Sequence, residues 1–413
     1  MDWSPPPEPP WLCHAAQSVA PHQSNPASSR ATIPPMEHRA EVEDGLVAFA
    51  ERLISLLERT SVVATYKYAV VIALMDLCME ATGKDAVPPG VVTTRQLAEK
   101  VLELYWPQTR AYPSATAPRV LRQNTGRQAR ILTDILAFRA LLPDQSMSLH
   151  RARMEAPAPY QRLLDRIEWT LILMPLPRVQ KVRGGEEPIL YHIGWDIDIE
   201  RRKREVTAYQ RGDESPFDNR ILLKPGVAHY LVRLNLLLRP LIFRSWAALV
   251  ARVNRDLIEE ATLEEFLFGK NRISLAPVAP LLREIQNNTC FYCGRSFGTR
   301  LEVDHFIPWA RYPDNGIENL VAAHAACNRK KRDFLAATEH VQRWTARNQP
   351  GSPGAAALLE AARTARWESH PEQVLGAARS IYLNLHPGVK LWHLGDDFEP
   401  ADREKLMRVL AGD

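Results

Sequence analysis

The sequence predicts a mainly α-helical, multidomain protein whose C-terminal half holds a small strand-loop-strand-helix module closed by a structural metal ion. Three observations carry that reading. Apolar residues recur at the helical period over most of the chain, as in Leu46, Phe49, Leu53 and Leu57. Two chelating pairs, Cys290-x2-Cys293 and His324-x2-Cys327, can close a four-ligand tetrahedral zinc site with no position left open for water. Between them, residues 300–303 alternate polar and apolar as a short strand that ends at Asp304 and His305. Residues 319–321 read as a second strand, and the alanine-rich stretch from Ala322 reads as a helix carrying Cys327, Asn328 and Lys331.

Residues 1–40 hold nine of the 32 prolines among Ser, Gln and Asn, without apolar periodicity, so they are expected to be disordered. Met36, just ahead of the first periodic segment, is a candidate alternative start of translation. Residues 41–145 read as a helical domain, with helices at 46–57 and 63–79, the second closed by Gly83. Thr93-x-x-Gln96 is a capping box for a third helix with Leu97, Val101, Leu104 and Tyr105 on one stripe, stopped by Pro107. A fourth helix is expected after Pro118, bearing Arg119, Arg122, Arg127 and Arg130. These helices make either a winged-helix-like DNA reader or a scaffold with a solvated face.

Residues 146–280 mix helix with a β-hairpin. Pro143 and the prolines at 157 and 159 mark breaks, residues 160–173 are helical, and residues 179–182 and 189–195 alternate around Gly184-Gly185. The four cations Arg201, Arg202, Lys203 and Arg204 suit a phosphate backbone or a solvated loop, and residues 227–253 return to helix with Pro240 as a kink or break. Residues 281–345 hold the metal module. Residues 346–413 continue as a helical segment, with helices at 355–367 and 373–385 and a short tail from Pro387.

The 413 residues are 46% hydrophobic and 24% charged, the composition of a globular chain with two or three domains. A net charge of +4 and a pI near 8.8 are compatible with a nucleic-acid partner without requiring one. The longest apolar stretch, residues 69–75, is broken by Asp76 and fits a buried helix, so no membrane partner is expected. Cys13 and Cys78 stand apart from the zinc constellation, a pattern that suits a reducing compartment, and the first residues lack the features of a secretory signal. The expected location is the cytoplasm.

A second constellation overlaps the zinc pairs. Asp304-His305, Asn319 and Asn328, followed by Arg329, Lys330, Lys331 and Arg332, gather oxygen, imidazole and positive charge around one loop. A phosphodiester is anionic and resists hydroxide. A catalyst must therefore make a nucleophile near neutral pH and neutralise charge on the leaving oxygen. Histidine, with an unperturbed pKa of about 6.5, can take a proton from water. Hard cations take carboxylate and amide oxygens.

The motifs CxxC, VDHFIPW, NLV and CNRKK, spanning about forty residues, resemble the HNH endonucleases, whose ββα-metal module pinches a phosphodiester between a histidine and a divalent cation. The resemblance implies that His305 is the general base, that Asp304 and Asn328 hold a catalytic Mg²⁺ or Mn²⁺, and that Asn319 ties down the loop orienting the base. It also implies products ending in a 3′-hydroxyl and a 5′-phosphate. Asn328 stands where the family name expects histidine, and it still offers an amide oxygen. His324 stands where many relatives have cysteine, which makes the zinc set three thiolates and an imidazole. Lys331, one turn beyond Asn328, is expected to meet a phosphate, with Arg329 and Lys330 raising the local potential. Glu302 reads as a solvated strand carboxylate, and His340 and His393 as surface or packing histidines. The expected partner is nucleic acid, foremost DNA, in restriction, phage defence or mobile-element movement. The alternative is a zinc-dependent nucleic-acid-binding protein that does not cleave.

Overall fold

Apolar periodicity sorts the helices by depth. Helix α1 (Met36–Arg59) turns Phe49, Leu53, Leu56 and Leu57 inward, whereas α2 (Tyr66–Glu80), apolar on every side, is buried from Lys67 to Glu80. The structure, a computed structural model, describes residues 36–59, 64–113, 118–180, 187–255, 263–269, 274–386 and 388–411. Leu46–Asp413 is one compact unit; of Met1–Gly45 only the start of α1 is described. The disorder expected for residues 1–40 thus falls mostly outside the described residues.

The capping box at Thr93 forms as predicted. Its hydroxyl accepts from the Gln96 amide, and Gln96 Oε1 accepts from the Thr93 amide, so that β1 (Val91–Thr93) passes directly into α3 (Thr94–Tyr105). After α4 (Arg130–Arg139), α5 (Leu149–Glu155) and α6 (Pro157–Leu173), the strands β2 (Tyr191–Ile193) and β3 (Arg220–Leu223) flank α7 (Lys203–Arg211). They complete an antiparallel sheet in the order β1-β3-β2, which joins stretches on either side of residue 145. Helices α8 (Val227–Arg233) and α9 (Asn235–Val253) meet at 82°, and α10 (Leu263–Phe268) packs on α9. Among the described residues no single helix is long and apolar enough to cross a membrane.

Helix α11 (Ala279–Ile285) leads into β4 (Glu302–His305), β5 (Leu320–Ala323) and α12 (Ala325–Lys331), the strand-loop-strand-helix module read from the sequence. Helix α13 (Thr338–Asn348) covers it, with Trp344 stacked on Phe306 at 4.8 Å between ring centroids. Helices α14 (Pro353–Ala365) and α15 (Pro371–Tyr382) follow. Helix α15 lies so close to α2 that a Cβ at Gly376 would collide with the Glu80 carbonyl, so only glycine fits there.

Several expectations change. The arginine-bearing helix after Pro118 starts only at Arg130, because Arg122 is spent on the Val253 carbonyl and Asn254, and Arg119 pairs across a β-bridge with Tyr112. The break expected near Pro157 is there, between α5 and α6 at Ala156, and Pro157 itself opens α6, where a missing N–H costs no helical bond. The turn of the expected hairpin, residues 181–186, lies outside the described residues, and Tyr191–Ile193 pairs with β3. The run Arg201 to Arg204 is a helix entry, not a loop. Pro240 sits inside α9, and the bend falls earlier, at Leu234. Beyond Pro387 the chain makes a hairpin, β6 (Lys390–Leu394) and β7 (Asp397–Pro400), and then α16 (Arg403–Ala411).

Candidate active site and metal centre

Four side chains on two turns converge first. The ligand atoms of Cys290, Cys293, His324 and Cys327 all lie within 4.8 Å of one another. A knuckle presents the first two: the Cys290 amide donates to the Arg295 carbonyl and the Gly294 amide to the Cys290 carbonyl, with Gly294 in the left-handed region that glycine tolerates. His324 caps α12, and Cys327 lies in its first turn. Gln286, which stands in no motif, fastens this knuckle to β5 through bonds with the Thr289 carbonyl and with both backbone groups of Ala322.

Crowded thiols differ in acidity. Burial and the neighbouring cysteines push Cys327 up to about 12. At Cys293 burial also pulls upward, but hydrogen bonds from the Arg295 amide, His324 and the other two cysteines outweigh it. A cation shared among three sulfurs and one imidazole resolves this crowding, and the S₃N set is compatible with tetrahedral zinc.

The second group stands on β4 and α12. Asp304 Oδ2 accepts from the Tyr292 hydroxyl at 2.6 Å and pairs with Lys331 Nζ at 3.0 Å. Lys331 is 0% exposed and its ammonium also donates to the His305 carbonyl, so it lies beneath the strand, away from the surface where a phosphate contact would place it. Its ammonium also stands 5.9 Å from the centre of the Tyr292 ring. Arg329 and Lys330 are exposed, and Lys330 pairs with Asp396. Asn328 Nδ2 donates to Glu302 Oε2 at 2.9 Å, which draws Glu302 into the site.

Two hard-oxygen donors remain. Among the described residues, Asp304 Oδ1 and Asn328 Oδ1 have no protein partner, and the Glu302 carboxylate stands beside Asn328. That donor set suits a hard divalent cation.

His305 leaves the strand end on its own. Its Nε2 lies 3.0 Å from Asn315 Oδ1 and its ring meets Trp309 edge-on. Burial lowers its pKa below the usual histidine value, with Asn315 and Asp304 pulling part of the way back, so the ring is neutral near pH 7. Asn319 is fully buried and ties the loop: Oδ1 accepts from the Ile307 amide, and Nδ2 donates to the carbonyls of Ile307 and Asp314.

The loop between β4 and β5 is held from both sides of the molecule. Asp314 pairs with His370, the Asn315 carbonyl accepts from Trp367 Nε1, and the Tyr312 hydroxyl bonds Glu80 of α2, which also pairs with Lys100 of α3. Burial by itself lowers the His370 pKa, but the Asp314 carboxylate overrides it and lifts it to about 10. A histidine raised in the fold stabilises fully below its unfolded value of about 6.5 and loses that contribution as pH climbs through about 10. The melting-temperature gap between the wild type and His370→Gln is therefore expected to be widest near pH 6 and to narrow toward pH 10. A gap constant with pH would refute the ion pair.

The short antiparallel pair, the crossing helix and the sealed Cys₃His cluster define the class of the module. Residues 290–334 match the family model described as HNH endonuclease. Residues 47–267, more than half of the chain, match the model of a domain of unknown function, DUF8808, and the chain belongs to that family. No curated protein and no solved structure matches it.

Proposed function

We propose that the protein is a divalent-metal-dependent endonuclease that hydrolyses phosphodiester bonds in DNA, acting in the cytoplasm, a compartment that keeps thiols reduced. The observation that carries this reading is a neutral, half-buried imidazole on the strand end that also bears Asp304, in a segment matching the HNH endonucleases.

His305 is the proton acceptor. With Asn315 Oδ1 accepting the Nε2 proton, the Nδ1 lone pair is left for a water. The water loses its proton to Nδ1 as its oxygen bonds phosphorus, the P–O3′ bond breaks, the 3′ oxygen takes a proton from a solvent water, and His305 afterwards returns its own proton to solvent. Asp304, Asn328 and Glu302 would hold a Mg²⁺ or Mn²⁺ ion, which supplies positive charge for the leaving oxygen. Lys331 braces Asp304 from below, Asn319 keeps the loop closed, and Arg329 and Lys330 attract the phosphate backbone.

Asn315 acts through His305. Asn315→Leu, which removes the acceptor, is expected to lower kcat roughly 10- to 100-fold with KM unmoved, the range found when the partner of a functional histidine is lost. Asn315→Asp keeps an oxygen in place and is expected to retain most of the rate. Equal losses in both variants would refute the positioning role.

A zinc-dependent binding protein is the second reading, favoured by the commitment of Asp304 Oδ2 to Tyr292 and Lys331. Supercoiled plasmid incubated with Mg²⁺ or Mn²⁺ separates the two. Nicking by the zinc-loaded full chain supports the endonuclease, and binding without nicking supports the alternative.

A further inference from the structure

Away from the catalytic loop tip, a concave pocket of about 60 Å³ opens where the end of α2, the α8–α9 bend and the end of α15 meet. Its polar lining is Arg233, Asn235, Arg311, Ser380 and Asn384. A water needs roughly 15 Å³ of such space, so the enclosed part has room for about four, and hence for a tetrahedral oxyanion whose carrier stays outside.

The lining has more donors than acceptors. Arg311, half-buried in the loop that follows His305, has no side-chain hydrogen bond or ion pair among the described residues, and burial lowers its pKa. Arg233 is exposed and likewise unpaired. Ser380, a residue 1% exposed, lines the pocket, and its hydroxyl finds no partner among the described residues. Asn235 gives its Nδ2 only to the Met79 sulfur, a weak acceptor, and its Oδ1 is used by Arg239, whose buried Nη1 is itself unpartnered.

The neighbouring carboxylates are committed elsewhere. Asp76 pairs with Arg239, and Glu80 with Lys100 and Tyr312; Asp333 acts on Arg311 only through space. A half-buried guanidinium with no ion-pair partner among the described residues, lining a pocket with a second guanidinium and an orphaned hydroxyl, is a cost to the fold that an anion removes. We propose that this pocket binds a phosphate group, clasped by Arg311 and Arg233 with the Ser380 hydroxyl as a third donor. The group is supplied either by a nucleic-acid strand or by a free phosphate ester. None of Glu302, Asp304, His305, Asn319 and Asn328 lines the site, and its occupancy would link the β4–β5 loop to the α8–α9 bend.

The test uses the full, zinc-loaded chain without Mg²⁺ or Mn²⁺, titrated with inorganic phosphate against chloride of matched ionic strength. Melting temperature and calorimetry are the readouts. A saturable stabilisation is expected. Arg311→Gln and Arg233→Gln should each weaken phosphate binding about tenfold, the effect of one lost charge-assisted hydrogen bond. The Arg329→Gln/Lys330→Gln double variant should leave it intact. Arg233 is exposed, so its variant decides the matter should Arg311→Gln fold poorly.

Competition then separates the sources. Displacement by a 5′-phosphorylated oligonucleotide and not by its 5′-hydroxyl twin assigns a strand end, and displacement by both assigns an internal phosphate. Displacement by a nucleoside monophosphate alone assigns a free ester. No stabilisation beyond chloride, or full stabilisation in both pocket variants, would overturn the site. Neither result depends on whether the protein cleaves DNA.

Discussion

His305→Ala is expected to slow plasmid nicking by about 10² to 10⁴, the span that a positioned general base contributes, while DNA binding by the same variant stays near that of the wild type. The expectation follows from placement. His305 ends β4 with its ring held by Asn315 and Trp309, and burial keeps it unprotonated near neutral pH. Replacement leaves the backbone register with Leu320 and the Lys331 contact to the residue 305 carbonyl in place, so the loss reads chemistry and not folding. Because protonation removes the base, the rate should rise with pH through a value below the usual 6.5 and then level off. Unchanged nicking by the variant would remove His305 from the mechanism.

The second large effect is structural. Cys290→Ser takes one thiolate from the Cys₃His set, and elemental analysis of the purified variant should show the zinc lost. Zinc sites of this kind contribute an apparent 10–16 kcal/mol or so to the folding of small domains. The damage should reach the catalytic groups, since Tyr292, which bonds Asp304, sits between the two knuckle cysteines. Limited proteolysis is expected to cut the variant first within residues 286–332. Unchanged zinc content would show that the four side chains do not form the site.

The module was legible because its chemistry is local. The CxxC and HxxC pairs, the strand ending in Asp304-His305 and the cationic helix lie within about forty residues, and ligand spacing encodes their convergence. The buried helix at residues 66–80 and the capping box at Thr93 were equally visible, since periodicity and capping act over a few residues. Long-range partners left no such mark. Asn315 stands in no motif, and nothing near it in sequence announces Trp367, His370 or Glu80 as the groups that fix its loop. Lys331 misled in the other direction: helical spacing put it beside Asn328, but only the fold shows which side of the helix is covered. In the sheet β1-β3-β2, β1 pairs with β3 more than a hundred residues further on, beyond the reach of any turn signal.

The absence of a side chain at Gly376 carries a practical corollary. With α15 pressed backbone-to-backbone on α2, any larger residue there would wedge the two helices apart, and Tyr312 would part from Glu80. Excising the nuclease segment as a free-standing fragment would do the same by subtraction, stripping Tyr312 of its acceptor and baring the face of α15 that α2 covers. The segment that matches the HNH endonucleases is therefore not a portable cassette.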